Sequence, residues 1–290
     1  MKTLPHLKNK IYGGAWSIHD KEFVDHVETA PRTIIDTKLF ASNYAQWFSR
    51  NKHIKGIENF CHIEYSNGTT ETFDKFYHRF NAHRLRLYKG EYFYHQIMAK
   101  VKYQKNFKWV EEEDIKPGDI FVTSLPFADT GELPTNFYKI LSQCEENDVP
   151  VLLDMAYFNI SDLENINLQY KCIDTITTSL SKVFPVEHYR IGIRLMQNFK
   201  DDSLVAYNEN DYVNKIGISI GQHFIENFDN DYVVKKYRGR QLDACKKLNV
   251  DASNCVIFGI DRKNIFQDYS RGGPSNRLCF SRIWDGRVRQ

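Results

Sequence analysis

Residues Val149 to Met155 read Val-Pro-Val-Leu-Leu-Asp-Met, a largely apolar run with its one acid near the end. Successive side chains of a strand point to opposite faces of the sheet, so such a run needs apolar cover on both faces. That is the pattern of a parallel strand in an α/β sheet, with polar residues collected at its carboxyl end, and here Asp154 and Tyr157 stand at that end.

The flanking sequence repeats the alternation. Ile57 to Tyr65 has strand character, Ser66 to Thr70 supplies a turn, and Glu71 to Phe80 carries Phe73, Phe76, Tyr77 and Phe80 at helical spacing. Leu85 to Tyr88 reads as a short strand, Tyr92 to Met98 as the start of a helix, and Phe107 to Val110 as another strand. Ile120 to Leu125 is a strand that ends at Pro126, followed by a loop through Gly131 and a helix over about Pro134 to Glu146. Thr175 to Leu180 and Ile191 to Met196 are further strands, with Ser181 to Arg190 as the loop between them. The expectation is a mainly parallel sheet with helices on both faces and a ligand at the carboxyl ends of the strands. After Met196 the pattern changes to long helices, about Asn210 to Glu226 and Asp231 to Leu248, then strands at Val256 to Ile260 and Arg277 to Ser281. These predict a small α+β C-terminal unit. The expected division is an N-terminal segment 1–56, a large α/β domain 57–196 and a reduced C-terminal domain 197–290.

Composition narrows the function classes. A chain of 290 residues with 42% hydrophobic residues is folded and globular, and 39 Lys plus Arg against 37 Asp plus Glu give no global field for nucleic acid or an anionic membrane. Any anion is held locally. The alternation His83-Arg84-Leu85-Arg86-Leu87-Tyr88-Lys89 fits a strand with one solvated face better than a nucleic-acid contact. No apolar run approaches the roughly 18 residues of a membrane span, and Met1 to Lys10 lack the apolar segment of a secretory leader. A cytoplasmic location is expected. Six scattered cysteines without a CxxC pair read as reduced thiols, and the ten histidines show no metal-ligand spacing.

Four groups fall at ends of the expected strands: Gly68-Thr69-Thr70, Asp154 with Tyr157, Ser179 with Lys182, and Arg190. Singly, each has an ordinary structural reading. A Gly-Thr turn caps a helix, an Asp forms a turn, a Tyr packs, a loop Lys is solvated, and an Arg at a strand start makes a surface ion pair. Their common order and spacing carry the argument.

Ser179-Leu180-Ser181-Lys182 followed by Arg190-Ile191-Gly192 resembles the lysine signature of the class I/II aminotransferases, fold-type I enzymes that use pyridoxal 5′-phosphate (PLP). Asp154-Met155-Ala156-Tyr157, beginning 28 residues before Lys182, resembles that family's cofactor-ring motif. Gly68-Thr69-Thr70-Glu71 is similar to its phosphate turn and Gly90-Glu91-Tyr92 to the segment that supplies a stacking aromatic. The resemblance covers about residues 57–196 and implies roles. Lys182 would form the Schiff base and move protons, Asp154 would face the pyridine nitrogen, and Tyr157 would bond the ring 3′-oxygen. Gly68, Thr69, Thr70, Ser179 and Arg190 would hold the phosphate at a helix N-terminus, and Tyr92 would stack on the ring. Arg277, opening the last strand, would pair with a substrate α-carboxylate, against the alternative of a surface arginine. Gly13-Gly14 would border the substrate pocket or form a plain turn. Tyr44 would reach a neighbouring subunit's phosphate or pack.

The implied activity is amino transfer between an amino acid and a keto acceptor, in a homodimer with shared active sites. PLP-dependent decarboxylation or lyase chemistry, and a degenerate binding protein on the same fold, are the alternatives. The sequence departs from the family in three places. Ala128 stands where the loop usually has Asn, Pro185 and His188 replace glycines after the lysine, and 95 residues separate Lys182 from Arg277, fewer than in most relatives. A shortened small domain is expected, with His188 facing either solvent or the pocket.

Overall fold

The computed structural model describes residue 7 and residues 9–284. The N-terminal stretch read for a leader lies mostly outside the described residues.

Seven strands form the main sheet: β1 (His62–Asn67), β2 (Arg84–Leu87), β3 (Phe107–Trp109), β4 (Asp119–Ser124), β5 (Val151–Asp154), β6 (Ile173–Ser179) and β7 (Ile191–Met196). Their spatial order is β1-β7-β6-β5-β4-β2-β3. All neighbours are parallel except that β7 runs against both β1 and β6. The run at Val149 to Met155 does what its pattern requires. Val151 and Leu153 enter one apolar core with Phe121, Ile176 and Ile193, whereas Leu152 enters a second core with Ile120 and Val122. Alternate residues of one strand therefore feed opposite faces.

Helices cover both faces. α1 (Lys21–Thr29) and α2 (Thr37–Ser49) start at Asp20 and Asp36, whose carboxylates accept from the backbone N–H of Phe23 and Leu39. α3 (Thr69–Arg79) and α4 (Phe93–Met98) follow, the latter continuing into a wider turn over Ala99–Tyr103. Phe73, Phe76 and Tyr77 of α3 pack in the second core. Phe40, Tyr44, Trp47 and Phe48 of α2 and Phe137 and Leu141 of α5 (Phe137–Glu146) pack in the first.

Several boundaries differ from the sequence expectation. Only the end of Ile57 to Tyr65 is strand, because Gly56 at φ +85° turns the chain into a single helical turn at Ile57–Asn59. The expected helix Asn210 to Glu226 starts later, as α7 (Lys215–Asn227), and a separate short helix, α6 (Ser203–Glu209), precedes it. Asp202 caps Leu204 and Val205 while Asn214 caps Gly217, and two N-caps make two helices. The last strand is Asn276–Cys279. Arg86, assigned above to a strand with a solvated face, is instead fully buried and bonded to Asp119 at 2.7 Å.

The C-terminal part consists of α8 (Tyr232–Leu248) and the antiparallel strands β8 (Asp251–Ala252), β9 (Phe258–Asp261) and β10 (Asn276–Cys279). The six cysteines are free, with Cys61 exposed. Among the described residues no helix is long and apolar enough to cross a membrane.

Candidate functional site

The reversed direction of β7 creates the first half of the site. Because β7 begins where β1 and β6 end, Asn67 lies opposite Ile191 and Ser179 opposite Gly192. Gly68, Ser179 and Arg190 therefore meet at one end of the sheet. Gly68 has φ +70° and ψ −178°, a conformation open in practice to glycine alone, and it precedes α3 without offering a side chain as cap. A Cβ on Gly68 would lie 2.6 Å from Arg190 Nη2. That nitrogen donates to Asn67 O at 3.3 Å and to Thr70 Oγ1 at 3.4 Å, both long contacts. Ser179 Oγ donates to Ile191 O at 2.8 Å, and Tyr65 Oη fixes the Arg190 carbonyl at 2.9 Å. The N-terminus of α3, with Thr69 and Thr70 in its first turn, and the Arg190 guanidinium thus lie together, a set of groups whose charge and dipole favour an anion.

The second half is a cavity of about 510 Å³ whose wall includes Gly13, Gly14, Tyr92, Tyr157, Lys182 and Arg277. Lys182 sits in the single turn Leu180–Lys182 that ends β6, and its Nζ donates to Ala15 O at 2.8 Å. Burial pushes its amine below the ordinary lysine range, with Arg277 adding to the effect against the opposing charges of Glu187 and Asp154. A lysine so perturbed is a better nucleophile and base near neutrality.

Asp154 ends β5 and is buried, with Oδ1 accepting from Ala156 N at 3.1 Å. Burial raises its carboxyl to about 7, and the neighbouring Glu91 pushes the same way while Lys182 opposes. Its Oδ2 lies 3.9 Å from His95 Nε2. His95 is fully buried, bonded through Nδ1 to Tyr77 Oη at 2.8 Å, and burial holds its pKa down at about 3. His95 Nε2 has no hydrogen-bond partner. The Tyr92 ring stands edge-on to His95 with centroids 5.7 Å apart, and Glu91 holds Tyr92 in place by accepting its backbone N–H at 2.6 Å. Tyr157 packs against Phe258 at 5.3 Å, and burial raises its hydroxyl pKa.

Arg277 is buried, stacks its guanidinium 4.3 Å from the Phe258 ring centre, and donates through Nη1 to Ala128 O. It is no surface arginine. Ala128, in place of an Asn side chain, contributes its carbonyl to hold Arg277.

All ten residues singled out in the sequence converge on this end of the sheet. Gly68, Thr69, Thr70, Ser179 and Arg190 gather where β1, β6 and β7 meet the start of α3, Tyr92, Tyr157, Lys182 and Arg277 line the cavity, and Asp154 stands at the end of the central strand. Gly13 and Gly14 border the cavity as well as turning the chain. Tyr44 packs. It is 0% exposed between Phe40 and Trp47, which leaves it no path to a second subunit's phosphate. His188 is exposed and is not among the residues that line the cavity. Sequence reasoning passed over His95, Asp129 and Arg271. The first was visible as the residue three after Tyr92 on the same helical face, whereas the other two lie in loops with no periodicity to mark them.

No protein-family profile and no curated protein sequence matches this chain. Solved structures do match. The PLP-bound C-S lyase of Staphylococcus hominis superposes with a TM-score of 0.66 at 13% identity, over 92% of this chain and 86% of that one. The L-threonine-O-3-phosphate decarboxylase of Porphyromonas gingivalis gives 0.63 at 14%, over 92% of each chain. The histidinol-phosphate aminotransferase of Clostridium acetobutylicum gives 0.61 at 13%, over 95% of this chain and 98% of that one. The chain thus shares its fold with these PLP-dependent enzymes, a lyase, a decarboxylase and an aminotransferase among them.

Proposed function

We propose that the chain is a PLP-dependent aminotransferase that moves an amino group between an amino acid and a keto acceptor. The observation that carries this reading is the placement of a lysine with a lowered pKa, a buried carboxylate and an anion cup together at the carboxyl ends of the strands. The residues fit the cofactor on independent grounds. Burial raises the Asp154 carboxyl to about 7, and a cationic ring nitrogen placed against it would supply the positive charge that favours its carboxylate form. The cradle at Gly68 is closed to any Cβ, and its charge and free helix N-terminus suit a phosphate.

Bound there, PLP supplies an electron sink for negative charge developing at the substrate α-carbon. Gly68, Thr69, Thr70, Ser179 and Arg190 would hold its phosphate, Asp154 would meet the ring nitrogen, Tyr157 would donate to the ring oxygen and Tyr92 would lie against the ring. The Lys182 amine would hold the cofactor and serve, at Nζ, as the base for the substrate α-proton. Arg277 pairs with the α-carboxylate and so fixes which bond at the α-carbon is aligned for cleavage.

The neighbours of this fold named as a lyase and a decarboxylase favour a second reading, in which the same residues serve another bond cleavage. Incubating the cofactor-loaded protein with a panel of amino acids separates the two. The aminotransferase reading expects keto acid and pyridoxamine phosphate in equal amounts. Carbon dioxide, or a released side chain, with the cofactor retained in its pyridoxal form would overturn it. The reading includes a large domain over 57–196, a reduced domain over 197–290, a homodimer and a cytoplasmic location, and a monomeric scattering profile would contradict the dimer.

A further inference from the structure

Arg277 accounts for one anionic group of a substrate. A second guanidinium, Arg271, lines the same cavity and has no part in the reading above. Arg271 Nη2 donates to Gly13 O at 2.5 Å, which fixes the side chain, while its Nε is buried without a hydrogen-bond partner. Arg277 Nε is likewise buried and unpartnered. Burial lowers Arg271 to about 9, with the charge of Arg277 as the next cause. Two guanidiniums therefore share one largely apolar chamber with Lys182.

The acids around them do not balance this charge. Glu91 is committed to Tyr92 N and to Ser124, whose backbone N–H donates at 2.9 Å. Asp154 belongs to the ring-nitrogen position. Asp129 is the remaining buried carboxylate, with Oδ2 accepting from Ser275 Oγ at 3.3 Å and Oδ1 unpartnered. Burial raises Asp129 to about 6 in spite of both arginines, so near neutrality it supplies one negative charge against two guanidiniums. The remaining wall includes Leu7, Trp16 and Phe93, which strengthens any charge pair formed inside.

We infer that the cavity accepts amino acids that carry a second anionic group, carboxylate or phosphate, on the side chain, with Arg271 as the residue that meets it. The inference rests on the role given above to Arg277 and names the substrate class for that site. A guanidinium on the cavity wall that is held through Nη2 and keeps Nε unpartnered suits planar, forked recognition of such a group.

Binding to the cofactor-loaded protein by calorimetry tests this without turnover. Glutarate is compared with butyrate, succinate with propionate, and 3-phosphoglycerate with glycerate, the pairs reporting which anion and which length the chamber takes. At least one doubly anionic ligand should bind ten times or more tighter than its singly anionic partner. Arg271→Gln should collapse that ratio toward one, and Arg271→Lys should restore part of it. A wild-type ratio near one in all three pairs, or a ratio unchanged in Arg271→Gln, overturns the inference. If the protein takes up no PLP, the proposed function fails, and the same comparison on the cofactor-free chain still reads the arginine pair. The wild-type ratios require no variant to fold.

Discussion

Replacing Gly68 by Ala tests the anion cup at its tightest point. The methyl group would lie 2.6 Å from Arg190 Nη2 and 2.9 Å from its Cζ, so the guanidinium must swing away or the turn must open. Backbone at φ +70° and ψ −178° adds strain of about 1–3 kcal/mol for a non-glycine residue. For a chain of this length that corresponds to a fall in Tm of roughly 2 °C per kcal/mol, or about 2–6 °C. Losing one charge-assisted contact to the phosphate costs about 1.5–3 kcal/mol more in binding, a weakening of PLP affinity of roughly tenfold to a hundredfold. Gly118→Ala is the control. Gly118 also has positive φ, at +84°, but a Cβ there meets nothing within 4 Å, so it should lower Tm without changing PLP affinity. Scanning calorimetry and PLP titration followed by absorbance measure both quantities. If Gly68→Ala binds PLP as tightly as Gly118→Ala does, the cup has been placed wrongly.

The other expectations concern the central residues. Arg277→Ala should raise KM for an amino acid by tenfold or more while leaving PLP affinity close to wild type, as steady-state kinetics and cofactor titration would show. Asp154 makes the cofactor-free protein sensitive to alkali. Its carboxyl ionises near 3.8 when unfolded and near 7 when folded, so its stability contribution is full below pH 4 and is lost as pH rises through about 7. Tm of the cofactor-free protein should therefore fall between pH 5 and pH 8, and Asp154→Asn should flatten that fall. His95→Phe removes the buried imidazole behind Asp154 and should shift the pH profile of the cofactor's absorbance, whereas an unchanged profile would leave His95 a packing residue.

How much could be read from the sequence depended on how local each feature is. Asp154, Tyr157, Ser179, Lys182 and Arg190 were legible because each lies within a few residues of a strand end, and strand ends are marked by apolar runs. Their convergence needed the topology, since the reversed β7 is what brings Arg190 to Gly68. The contact of Lys182 with Ala15, 167 positions away, left no local trace. Arg271 and Asp129 sit in loops, and only the folded chain shows Arg271 on the chamber wall with the Asp129 carboxyl close enough to feel both arginines. The short helix Ser203–Glu209 was missed, and the next helix was started too early, because the caps at Asp202 and Asn214 were outweighed by apolar periodicity.

Reductive trapping with borohydride in the presence of PLP, followed by peptide mass mapping, bears most directly on the proposed function. The account predicts a single phosphopyridoxyl adduct on Lys182, absent from Lys182→Ala. An adduct spread over surface lysines, or one that persists in that variant, would contradict it.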